Sequence, residues 1–191
     1  GNKTYRKVIG DSDDFTPELI QNLLGVFSYC GEIFLFGADY YAEFLTEKNK
    51  GSWIVWDKRV DEQFDKMFGS AFELCWSKSK HKREIARFNN TLFGGDIEAR
   101  GKVHPTQKPT KLIEWFFDKW GSQKHLIADL FGGSGSTLIA CEKTNRKCFM
   151  MELDPHYCSV IIERWRKYTG KEAFLVKDDG SLVPWTEVTN A

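Results

Sequence analysis

The stretch from Leu126 to Asp154, LIADLFGGSGSTLIACEKTNRKCFMMELD, limits the fold more than any other part of the chain. Leu126–Leu130 is an apolar run of strand length, and Phe131-Gly-Gly-Ser-Gly135 interrupts regular structure. Ser136–Glu142 resumes as a mostly apolar helix, and Lys147–Met151 reads as a second strand that closes on Glu152. Strand, glycine turn, helix, strand and acid make one βαβ unit of the kind that holds a nucleotide-type ligand. The glycines admit close backbone approach, the helix N-terminus offers N–H groups, and a carboxylate in the place of Glu152 can accept from ribose hydroxyls. A glycine turn that merely joins strand to helix gives a similar string, and G-x-G by itself does not separate the two.

Along the rest of the chain, strands alternate with helices, which indicates an α/β three-layer fold. Thr16-Pro17 reads as a helix cap and first turn, followed by the apolar stripe Leu19, Ile20, Leu23, Leu24 and Phe27. Glu32–Phe36, Ser52–Trp56 and Phe72–Trp76 read as strands, with a short helix over Tyr40–Leu45. Residues 77–103 show no periodicity and read as an irregular connection. Pro109 opens a helix whose Leu112, Ile113, Phe116, Phe117 and Trp120 face the core. Asp154 caps and Pro155 starts another, with Tyr157, Val160, Ile161 and Tyr168 on its buried side. Ala173–Val176 is the last expected strand, and 177–191 reads as a tail, pinned by Trp185. Polar and glycine signals fall at strand carboxyl ends: Gly37-Ala-Asp39, Asp57-Lys58, Phe131–Ser134 and Glu152–Asp154. Ligands of open α/β sheets gather there, so one functional edge is expected.

Composition narrows the partners. At 191 residues, 41% hydrophobic and 28% charged, the chain suits one soluble domain with a proper core. No apolar run reaches membrane-spanning length and no signal peptide is visible, so the expected location is cytoplasmic, with no membrane partner. The five cysteines (30, 75, 141, 148 and 158) lack C-x-x-C spacing and read as reduced, mostly buried thiols, and no metal site is expected. With 27 basic and 27 acidic residues, binding to nucleic acid must come from a local patch.

Three spaced segments carry a resemblance. Asp129-Leu-Phe-Gly-Gly-Ser-Gly-Ser-Thr137, the upstream His104-Pro-Thr-Gln-Lys-Pro109 and Glu152-Leu-Asp-Pro-His-Tyr157 resemble the S-adenosylmethionine site of the DNA amino-methyltransferases that act on adenine N6 or cytosine N4. The order is that of their β group, and the resemblance spans nearly the whole chain. It implies a Rossmann-like three-layer α/β fold with a mostly parallel sheet. The domain would cover 1–176, with a catalytic-side half at 1–77, a variable basic loop at 78–103, a cofactor half at 104–176, and a tail at 177–191. The implied cofactor contacts are Asp129, Phe131, Gly132, Gly133 and Gly135 around the methionine part, with Ser134 and Ser136 adding hydroxyls. Glu152 would bind the ribose, and Thr106 and Lys108 would lie near the amino-acid end. For Lys108 a solvated helix-start lysine is the competing reading, and for Asp129 a turn-stabilising role. The implied partner is double-stranded DNA with a flipped base, adenine favoured over cytosine, in a restriction-modification or phage setting.

The resemblance also marks an absence. The family's Asp/Ser/Asn-Pro-Pro-aromatic motif occurs nowhere in these residues; Asp11-Ser-Asp-Asp-Phe15 offers an acid and an aromatic without prolines. No catalytic residue is therefore assigned. The chain is expected to be N-terminally incomplete, with Gly1 a cloning remnant, and inactive alone. The central strand that carries the motif should be missing between those at 33–36 and 126–130. Its slot would be filled by Tyr5–Ile9 folded back, by a second copy of the chain, or by direct closure, the last two being favoured. For DNA contact the basic run Lys78, Lys80, Lys82, Arg83 and Arg87, beside Trp76 and Phe88, suits phosphates, although such runs are usually solvated surface. Two alternatives stand beside the enzyme: a degenerate methyltransferase that binds cofactor or DNA without chemistry, and a nicotinamide-dependent oxidoreductase. Leu138 at the third glycine position of G-x-G-x-x-G counts against the latter.

Overall fold

The computed structural model describes residues 9, 15–59, 62, 69–89, 104 and 106–188. The chain divides into two compact units, one of residues 10–101 and one of 102–191 together with 1–9.

In the 10–101 unit, helix α1 (Pro17–Val26) starts where Thr16 turns extended and its hydroxyl accepts from the Leu19 N–H at 3.2 Å. Its buried stripe is narrower than the spacing suggests: Ile20 is buried, Leu23, Leu24 and Phe27 are partly covered, and Leu19 stays 44% exposed. Ile20 packs into a cluster with Ile33, Leu35, Ala38, Tyr41, Leu45 and Trp76. Four strands follow: β1 (Phe34–Phe36), β2 (Ser52–Asp57), β3 (Phe72–Ser77) and β4 (Glu84–Arg87), in the order β1-β3-β2-β4. A short 3-10 helix, Ala38–Phe44, follows β1. Strand β3 is antiparallel to both neighbours, and β4 is parallel to β2, so β1, β2 and β4 point the same way. Strand β4 falls inside the segment expected to be irregular. Its four residues have polar ends, and only Ala86 is buried, so the strand exists through its register with β2 and not through its own periodicity.

In the other unit, α2 (Thr110–Trp120) buries Leu112, Ile113, Phe116 and Phe117. Strands β5 (Ile127–Asp129) and β6 (Cys148–Met150) pair in parallel around α3 (Ser136–Lys143). Helix α4 (Pro155–Thr169) begins as the sequence indicates: the Asp154 carboxylate accepts from the His156 N–H at 2.9 Å, Pro155 fills the first turn, and Gly170 ends it. Tyr157 and Ile161 are buried, but Tyr168 is 46% exposed. It lies in the last turn, where Lys143 Nζ sits 5.9 Å from its ring centre. The expected tail instead continues as an antiparallel hairpin, β7 (Phe174–Val176) with β8 (Leu182–Pro184), and a helical turn α5 (Trp185–Val188). Trp185 pins it, its backbone N–H donating to the Ala173 carbonyl at 2.8 Å and its indole N–H to Glu163 at 2.7 Å.

All five cysteines are free; Cys75 and Cys141 are buried and the other three partly so. Among the described residues β1 ends its sheet and β5 pairs with β6 alone. The segments Tyr5–Ile9 and Asp11–Phe15 lie outside the described residues except for Ile9 and Phe15, whose ring meets that of Tyr41 at 4.5 Å between centres. No helix among the described residues is long and apolar enough to cross a membrane.

Candidate nucleotide-type binding site

The site is built at the carboxyl ends of β5 and β6. Asp129 closes β5, and its Oδ1 accepts from the Phe131 N–H at 3.0 Å, which bends the chain out of the strand. Asp129 therefore stabilises the turn, the competing role its position allowed. The Met151 N–H donates to the Asp129 carbonyl and the Gly132 N–H to the Met151 carbonyl, both at 2.8 Å, so the turn is laced to the end of β6. Gly133 and Gly135 adopt φ of +53° and +77°, the left-handed region where a side chain is strained. At Gly135 a Cβ would also meet Ile161 of α4 at 3.1 Å, so this glycine serves the packing of α4 on the turn. At Gly133 the nearest atoms to such a Cβ are those of the His104 ring, 3.8 Å away.

Glu152 ties the turn from the other side. Its Oε2 accepts from the Gly133 N–H at 2.6 Å and its Oε1 from the Asp154 N–H at 2.9 Å. Each carboxylate oxygen keeps a further lone pair for an incoming hydroxyl. Burial, reinforced by the Glu152 and Asp154 carboxylates, pushes the Cys158 thiol up. It stays protonated and donates to the Glu152 carbonyl at 3.5 Å. Asp154 is wholly buried.

The upstream segment joins the same place. His104 is buried, its ring edge-on to Tyr157 at 4.3 Å between centres, and its Nδ1 accepts from the Thr106 N–H at 3.2 Å with the Thr106 hydroxyl 3.0 Å away. The Ser136 hydroxyl donates to the Lys108 carbonyl at 2.6 Å and lies 3.3 Å from that of Ser134. Both serines are buried, and the Ser136 hydroxyl ties the turn to the upstream segment, with that of Ser134 beside it. Phe131 is the reverse case, an aromatic 61% exposed at the mouth of the turn.

All ten residues expected around a cofactor thus lie on this turn, on the end of β6 or on the segment that braces them. Two further residues complete the arrangement. His104 lies beside Gly133, and the Arg164 guanidinium of α4 donates to the Ser134 carbonyl. His104 opens the His104–Pro109 segment, whereas Arg164 has no local signal.

The basic run is divided. Lys78 donates to the Ser28 and Cys30 carbonyls and Lys80 to those of Asn49 and Gly51, so both act as staples. With the exposed Lys82 and Arg83 they lie at the end where β1 and β2 begin, since Ser77 pairs with Phe34 and Ser52. Strand β4 then runs alongside β2 to bring Arg87 opposite Asp57. At about 3.3 Å per residue, Arg83 and Arg87 stand about 13 Å apart, toward opposite edges of the sheet.

A model of the N6_N4_Mtase family, described as DNA methylase, matches residues 8–163. The chain belongs to this family. Among curated relatives, the orphan methyltransferase M.BamHII of Bacillus amyloliquefaciens is 34% identical over 134 residues, 65% of this chain and 48% of that protein. The type II methyltransferase M.PvuII of Proteus hauseri is 38% identical over 64 residues, 34% of this chain and 19% of that protein. The chain therefore spans less than half the length of these curated relatives. Among solved structures, the cytosine-N4-specific PvuII DNA methyltransferase superposes with a TM-score of 0.56 at 18% identity, over 86% of this chain and 76% of that one. The M1.HpyAVI–SAM complex gives 0.52 at 21% identity, over 71% and 74%. These likenesses show a Rossmann-like methyltransferase fold of the mixed α/β type.

Proposed function

We propose that the chain binds S-adenosylmethionine at the Phe131–Gly135 turn and Glu152, as the cofactor-binding part of a DNA amino-methyltransferase. The observation that carries this reading is the exposed Phe131 beside a fixed carboxylate and a left-handed Gly133. The residues fit the group. Glu152 offers oriented acceptors to a ribose diol, Phe131 an apolar face, and the segment carrying Thr106 and Lys108 is held against the turn by the Ser136 hydroxyl. A lysine there suits the carboxylate of the methionine part. The cofactor supplies an activated methyl on a sulfonium, so the protein's work is to position and desolvate the reactants.

The substrate would be duplex DNA whose target base leaves the stack to present its exocyclic amine. The resemblance favours adenine N6, whereas the PvuII enzyme is cytosine-N4-specific, so both bases belong in the test. The 191 residues hold no Pro-Pro-aromatic motif, so the chain alone is expected to bind the cofactor without transferring methyl groups.

Calorimetric titration with S-adenosylmethionine and its demethylated product tests the reading, with NAD as the control for an oxidoreductase. Glu152→Ala should weaken binding about tenfold or more, since a charge-assisted hydrogen bond contributes about 1.5–3 kcal/mol. Unchanged affinity in that variant would remove Glu152 from the site, and no binding by the parent chain would refute the proposal. A tritium-transfer assay on mixed-sequence DNA, followed by nucleoside digestion, reads both transfer and target base. Light scattering tests whether the chain self-associates.

A further inference from the structure

The carboxyl edge of the β1-β3-β2-β4 sheet brings Arg87, the last residue of the basic run, together with Lys58 and Arg59, which lie outside that run. Asp57, at the end of β2, holds two arginines. Its Oδ1 accepts from both the backbone N–H and the Nε of Arg59, at 3.0 and 3.2 Å, and its Oδ2 lies 3.8 Å from Arg87 Nε. Arg87 stands at the end of β4, directly across the parallel ladder. The Asp57 side chain is 15% exposed, whereas those of Arg59 and Arg87 are 36% and 59% exposed. Between them Lys58 pairs with Glu73 at 3.2 Å and lies over the Trp56 ring. Along the same edge stand Phe72, 50% exposed, and Tyr40, 83% exposed, with Asp39 beside it.

Stability does not account for this cluster, because exposed ion pairs contribute about 0–1 kcal/mol. A carboxylate that fixes two guanidinium groups in one place does prepare them for an anion, since the planar fork matches phosphate oxygens. Exposed aromatic rings beside basic side chains are the composition of a nucleic-acid surface. The edge itself is where ligands approach an open α/β sheet. Lys78 and Lys80, by contrast, are engaged with carbonyls at the opposite edge.

We propose that Arg59 and Arg87, oriented by Asp57, form a clamp for the DNA phosphate backbone along this edge. The clamp rests on the reading of the chain as a DNA methyltransferase and moves the phosphate contact away from residues 78–83.

The test is fluorescence anisotropy of a labelled mixed-sequence duplex with the full chain over a range of salt concentrations. Arg59→Gln/Arg87→Gln is compared with Lys82→Gln/Arg83→Gln, and S-adenosylmethionine titration serves as the control. The first pair should weaken binding about tenfold or more and reduce the slope of log affinity against log salt by about 1.8, or about 0.9 per phosphate lost. The second pair should leave the slope unchanged. If the first pair does not fold, Arg87→Gln alone should reduce the slope by about 0.9. Equal losses in both pairs, or no loss in the first, overturn the clamp. A parent chain that binds cofactor but no duplex also overturns it while leaving the cofactor reading intact. A parent chain that binds neither overturns both.

Discussion

Replacing Gly135 by alanine tests the packing of α4 on the glycine turn. Two costs are superposed at this position. The backbone sits at φ +77°, and a left-handed conformation costs a side-chain-bearing residue about 1–2 kcal/mol. The new Cβ would also lie 3.1 Å from Ile161 Cγ2 and 3.2 Å from Cγ1, and overpacking of this kind costs about 1–3 kcal/mol. Together they imply a loss of about 2–5 kcal/mol, or a fall in Tm of about 4–20 °C for a chain of this size. Urea denaturation followed by circular dichroism gives the value. Measuring the same change in an Ile161→Ala background separates the parts, because that variant removes the two atoms in closest contact. The cost there should shrink by about 1–2 kcal/mol, the coupling expected for residues in contact. An equal cost in both backgrounds would refute the contact, and no cost in either would refute the left-handed turn.

Three further outcomes are expected. Thr16→Ala should destabilise α1 by about 1 kcal/mol in urea, and Thr16→Ser should not, because only the hydroxyl acceptor is at stake. Burial, helped by nearby Cys75, Asp39 and Glu73, pushes the Tyr41 phenol above its ordinary value of 10.0. The stability it contributes is therefore complete below about pH 10 and is lost as pH rises toward the folded value; Tyr41→Phe should flatten that alkaline decline in a pH series of melts. The hydrogen bond from Lys171, assisted by Trp165, holds Glu142 below its ordinary value of 4.5. Its contribution is present above that value and is lost as pH falls through the depressed one, so Glu142→Gln should show a shallower acid limb than the parent.

What could be read from the sequence was local. The start of α4 was legible because Asp154 and Pro155 act on adjacent residues, and β5, α3 and β6 because each is a short local run set off by the glycine turn or the closing acid. Strand β4 was hidden, since Glu-Ile-Ala-Arg becomes a strand only by lying beside β2. The same strand divides the basic run: lysines and arginines contiguous in sequence are carried to opposite edges of a sheet. In the site, the turn and its acid were legible, but the use of the serines was not. Ser136 meets Lys108 across 28 residues and Arg164 meets Ser134 across 30, and no short pattern records such distances.

The carboxylate of Glu152 has a consequence for how such a chain can drift. It already joins two backbone N–H groups, so an aspartate would be a methylene too short to reach both, and a glutamine would set an amide N–H against one of them. Selection for folding alone would therefore keep a glutamate at this position, whether or not a ribose ever reaches it. Nothing comparable holds Phe131, whose ring is largely in solvent. A lineage that stopped using the cofactor should keep the acid and replace the aromatic first, so variation at 131 against constancy at 152 would mark descendants that fold but no longer bind.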